Sequence, residues 1–148
     1  MTYTDVRYKD RSGIFEDVDF LFLLCLVTAE VEADRYRFEP LAERIQALDK
    51  YFTDWGPGEV CPDLQECLSD RSSEASFLAA LEAVEAKLGA VGPTVPSAFI
   101  EAFSRKQRYG WQPESPYPIK PLMRALEDLR LLIEGPEDLF QQQLDRMG

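Results

Sequence analysis

Two carboxylate pairs are the residues best placed to do chemistry in this chain. Glu82 and Glu85 are three residues apart, about one helical turn, so both would project from one helix face. Glu127 and Asp128 sit together on another helical stretch. Carboxylates from neighbouring helices can hold Mg²⁺ against a polyphosphate, because this hard cation takes one or two carboxylates together with phosphate oxygens. A carboxylate–Mg²⁺ nucleotide phosphohydrolase is therefore one reading. The competing one is that these sparse acids lie on solvated helix faces. The 148 residues include no histidine and no asparagine. Without histidine the chain lacks the commonest general base and the commonest zinc ligand. Ser-His-Asp and Cys-His catalysis and a Glu-x-x-His di-iron site are excluded with it. No residue is assigned as catalytic, cofactor-binding or metal-ligating on this reading.

Cys25, Cys61 and Cys67 make an odd number without metal-type spacing. They read as reduced thiols of a cytoplasmic protein, with Cys25 a small core hydrophobe. A Cys61–Cys67 bridge is the alternative, although their helical context argues against it.

Charge carries more information. The 27 acidic and 16 basic residues leave a formal net charge of −11. Such a surface repels nucleic acid and anionic membranes and attracts basic partners. The acids are concentrated. Between Glu43 and Asp70 stand Glu43, Asp49, Asp54, Glu59, Asp63, Glu66 and Asp70, against Arg44 and Lys50 alone. Tyr51, Phe52 and Trp55 are embedded in the same stretch. A Trp beside turn glycines and rimmed by carboxylates has the composition of an interface anchor; its alternative is to fold back onto the core. The expected partner-binding set is Asp49, Asp54, Trp55, Glu59, Asp63, Glu66 and Asp70, with Trp111 as a second anchor. Residues 105–124 are the counterpart, with Arg105, Lys106, Arg108, Lys120 and Arg124 against Glu114. That strip can pair with the acidic stretch, bind a phosphate or stay solvated.

The element expected to organise the chain is residues 14–33, whose centre, Phe20 to Ala29, carries no charge. A helix that is apolar all round is buried all round. The uncharged run is too short to span a bilayer, which needs about 20 apolar residues. Glu16, Asp17 and Asp19 before it and Glu30, Glu32 and Asp34 after it suit water rather than lipid headgroups. The charged opening Asp5, Arg7, Lys9, Asp10 and Arg11 also argues against a signal peptide.

Around this helix, Leu41, Ile45, Leu48 and Phe52 repeat on one face of a second helix begun by Pro40. Thr53 to Gly58 reads as a turn, and a short helix is expected from about Pro62 to Leu68. Ser72 or Ser73 is expected to cap a longer helix carrying Phe77, Leu81, Val84, Leu88 and Val91 inward. Gly89 and Gly92-Pro93 are expected to stop it. Pro96 opens a fifth helix. Tyr109 to Pro118, rich in proline and aromatics, reads as a stiff extended loop. A sixth helix begins near Pro121 and a last one at Pro136. Residues 1–13 alternate apolar and charged side chains, and residues 34–38 have a similar texture that would let the two pair as short strands.

The expectation is one all-α domain, 1–148, an irregular bundle of about six or seven helices around the central helix with a minor β pairing near the N-terminus. A domain of this length buries roughly 70% of its unfolded surface, enough for a true core. The leading functional reading is a non-enzymatic, acidic protein-binding domain of bacterial type. It would act as an immunity protein or antitoxin against a basic partner, a toxin or effector, without cofactor, nucleic acid or membrane. The phosphohydrolase and a structural or adaptor subunit of a homo-oligomer are the alternatives.

Overall fold

The chain opens as a hairpin. Strand β1 (Tyr3–Tyr8) pairs antiparallel with β2 (Arg11–Glu16), Tyr3 opposite Glu16 and Tyr8 opposite Arg11. Thr4, Val6 and Tyr8 point inward on alternate positions, the two-residue period of a half-buried strand. The partner of the first strand is therefore 11–16 and not 34–38. A two-residue turn, Lys9–Asp10, brings adjacent segments together at little loop-closure cost, which a partner beyond the central helix would not. Lys9 adopts φ 54°, in the left-handed region, as two-residue hairpin turns require. The computed structural model describes residues 3–53, 63–106, 116–135 and 138–147.

Helix α1 (Asp17–Ala33) follows β2 directly. It starts at Asp17, not Ile14; Ile14, Phe15 and Glu16 belong to β2. The Glu16 carboxylate caps it by accepting the Asp19 N–H at 3.3 Å. Asp17 and Asp19 fill its first turn, where the helix dipole favours negative charge. Phe20 to Leu24 are all fully buried, so this helix does form the centre.

The expected second helix is broken into α2 (Glu39–Ala42) and α3 (Ile45–Thr53). The break falls at Glu43–Arg44, where the Arg44 N–H turns back to the Leu41 carbonyl at 2.9 Å. Only a 3₁₀ turn, Leu64–Glu66, occupies the segment expected to be a short helix. Helix α4 (Arg71–Ala90) is capped by Asp70 rather than by a serine. Its carboxylate accepts the Ser73 N–H at 2.7 Å, while Ser73 itself is buried. The helix runs through Gly89 and ends at Ala90. Helices α5 (Ser97–Lys106), α6 (Ile119–Glu134) and α7 (Leu139–Met147) complete the chain. α6 begins two residues before Pro121, which sits in the first turn where its missing N–H costs nothing.

The described protein is 69% helical, with seven α-helices and one two-stranded sheet. α1 packs against α3, α4 and α6, and α7 packs against β2. Phe22 of α1 meets Phe103 at 5.3 Å and Tyr117 at 5.4 Å between ring centroids. Two backbone bonds, Val95 N–H to Tyr117 O at 2.8 Å and Ile119 N–H to Pro93 O at 3.0 Å, tie the start of α5 to the start of α6. Among the described residues no helix is long and apolar enough to cross a membrane.

Candidate functional site

The acidic stretch lies along α3, the 3₁₀ turn and the start of α4. Asp63, Glu66 and Asp70 are exposed there, as is Glu43. Each of the first three also has a local task. Asp63 caps the 3₁₀ turn by accepting the Gln65 N–H at 3.0 Å. Glu66 pairs with Lys50 at 3.5 Å. Asp70 caps α4 and pairs with Arg44 at 3.1 Å. The Ser73 amide bond, with help from the Arg44 guanidinium, holds the Asp70 carboxyl below its ordinary range. The two bases of the stretch are thus matched with two of its own acids. Asp49 belongs to α3; Asp54, Trp55, Glu59 and Trp111 lie outside the described residues, as do Cys61 and most of the Tyr109–Pro118 loop. Arg105, Lys106, Lys120 and Arg124 are exposed.

The carboxylate pairs are drawn to arginines. Glu85 and Glu127 both bind Arg130, at 2.7 and 3.0 Å. Asp128, only 8% exposed, accepts from Arg146 at 3.0 and 3.1 Å and from Gln143 at 3.0 Å. Glu82 is exposed on the Glu85 side of α4. The two pairs therefore line different clefts. Among the described residues no group of three or more histidine, cysteine, aspartate and glutamate side chains is placed to hold a metal ion. Cys67 is a buried free thiol, pushed up to about 12 by burial.

A second polar constellation had no counterpart in the sequence reading. Glu16 and Asp19 face Arg124, Asp128 and Arg146 across a cleft of about 210 Å³ between β2, α6 and α7. The Tyr117 hydroxyl donates to the buried Asp19 carboxylate. Burial raises Asp19 above its ordinary range. It raises Glu16 too, with the Asp19 charge adding to the effect. Tyr117 is pushed up by burial and by the same carboxylate. Gln143 closes the cleft: its Oε1 accepts the Ile14 N–H at 2.6 Å and its Nε2 donates to the Ile14 carbonyl at 3.0 Å. Glu16, Asp17 and Asp19 were legible only as a polar helix flank. Tyr117 comes from a segment nearly one hundred residues away, a pairing that no local pattern signals. No known protein family, curated protein or solved structure matches this chain.

Proposed function

We propose that this chain is a non-enzymatic, acidic protein-binding domain that neutralises a basic partner protein in the cytoplasm, in the manner of bacterial immunity proteins and antitoxins. The observation that carries the reading is the flank formed by α3, the 3₁₀ turn and the start of α4. Its two bases are matched with Glu66 and Asp70. Along the sequence of this stretch seven acids, Glu43, Asp49, Asp54, Glu59, Asp63, Glu66 and Asp70, stand against Arg44 and Lys50. An excess of acids of this kind steers a basic partner into contact and speeds its association.

The test starts from a partner isolated by pull-down from the native organism, with association measured by surface plasmon resonance at two ionic strengths. Asp54→Lys with Glu59→Lys should slow association and weaken its salt dependence. Trp55→Ala should act mainly by raising the off-rate, because an aromatic anchor holds the formed complex. Wild-type kinetics in both variants would place the contact elsewhere.

One observation favours the homo-oligomer reading. Phe140, Leu144 and Met147 are exposed along α7 at helical spacing, Met147 at 58%. Scattered exposed apolar residues need no explanation, but a stripe does. Light scattering behind size exclusion decides it: a dimer that Leu144→Lys turns into a monomer supports the subunit reading, and a monomeric wild type removes it.

A further inference from the structure

A second concavity lies further along α1 from the Glu16–Asp19 cleft, where α1, α4 and α5 meet. α5 is held to the core by Ile100 and Phe103, both buried. Its other flank, Phe99 and Ala102, stands over α1 at Cys25 and Ala29. Two alanines there leave a space that larger side chains would fill. The result is a groove of about 150 Å³ with Leu88 of α4 as its far wall. A dry apolar cavity of about this size holds a ring of six carbons, so the apolar part of a ligand is limited to about six to eight carbons.

The mouth decides the head group. It carries Glu30, Lys87 and Lys106. Lys87 is ion-paired with Glu30, which leaves that pair close to neutral. Lys106 makes no hydrogen bond or ion pair among the described residues and is exposed. Among the described residues one unpaired cation therefore lines an apolar groove, in a protein whose net charge is −11. An ammonium beside an apolar slot is complementary to a carboxylate on a short hydrocarbon chain.

We infer that this groove binds a medium-chain carboxylate, its tail between α1 and α5 and its head on Lys106. The site is independent of the acidic flank and of the partner proposed for it.

The experiment titrates octanoate and, separately, 1-octanol into the full chain, followed by isothermal calorimetry and by two-dimensional NMR. Octanoate should bind one to one, with the largest amide shifts at 25–30 and 99–106. Ala102→Trp should abolish binding by filling the groove. Ala29→Leu provides the same test should the tryptophan variant fail to fold, with the melting temperature of each variant as control. Lys106→Gln should weaken octanoate about fivefold, the size of an exposed charge pair, and leave 1-octanol unchanged. Unsaturable binding, shifts scattered over the surface, or full affinity in a folded groove-filling variant would overturn the site. Equal affinity for the acid and the alcohol, or an unaltered Lys106→Gln, would overturn the carboxylate.

Discussion

Asp19 is the residue whose protonation most directly ties local chemistry to stability. The residue is 9% exposed, and burial raises its pKa above the ordinary value. The folded state therefore binds this proton more tightly than the unfolded chain does. The stability it contributes is complete below the unperturbed pKa of about 3.9 and is lost as pH rises through the folded value. Glu74 has the opposite sign. The Tyr8 hydroxyl lowers its pKa, so its contribution is present above the unperturbed value and is lost as pH falls. Asp19→Asn keeps an acceptor for Tyr117 and removes the buried charge. It should raise the melting temperature at pH 7, leave it unchanged near pH 3 and flatten the profile between, as followed by circular dichroism. A melting temperature that drops at pH 7 would mean that the ionised carboxylate is needed there. At this scale the sequence was a partial guide. It marked Leu24 and its neighbours for the core, and they are fully buried. It offered no sign that Lys9 would take a left-handed conformation, because Lys-Asp lacks the glycine or asparagine that announces such a turn.

Elements were legible where one face is apolar and its period unbroken. α4, α5 and α6 lie close to where their stripes place them. The errors fall at boundaries set by hydrogen bonds rather than by hydropathy. Asp70 captured the α4 cap from two serines, and β2 claimed the first residues expected of α1. α7 depends on a contact of this kind. Of its residues only Leu139 and Gln143 are buried. Gln143 satisfies both backbone groups of Ile14 and one oxygen of Asp128. Gly13 lies under this contact: a Cβ there would stand 3.0 Å from the Phe15 ring of the same strand and 3.4 Å from Leu139, ordinary contact distance for the helix. Gln143→Ala strands several buried polar groups, each worth about 1–3 kcal/mol. It should lower the unfolding free energy by about 2–4 kcal/mol in urea titrations and speed amide exchange in α7 ahead of α1. Equal protection of both helices in the variant would show that Leu139 alone holds α7 in place.

Over the whole molecule the excess of 27 acids over 16 bases acts twice, in opposite directions. Self-repulsion destabilises the compact state, and salt screens charges beyond about 10 Å at 0.1 M. The isolated protein should melt at a higher temperature in 200 mM than in 10 mM NaCl, while its association with a basic partner slows over the same range. A melting temperature that falls with salt would mean that ion pairs such as Arg130 with Glu85 and Glu127 outweigh the repulsion. The charge balance was readable from composition alone. Beyond local pairs such as Arg130 with Glu127, which acids are already engaged was not, because partners such as Glu66 with Lys50 and Asp70 with Arg44 are chosen by the fold. The bond between Ile14 and Gln143 also sets a schedule. It joins groups 129 residues apart in the chain. At about 5–20 residues per second, a ribosome delivers the second partner about 6–26 s after the first. During that interval the nascent hairpin waits with its Ile14 amide unclaimed and part of its inner face uncovered, a window in which a chaperone would find it.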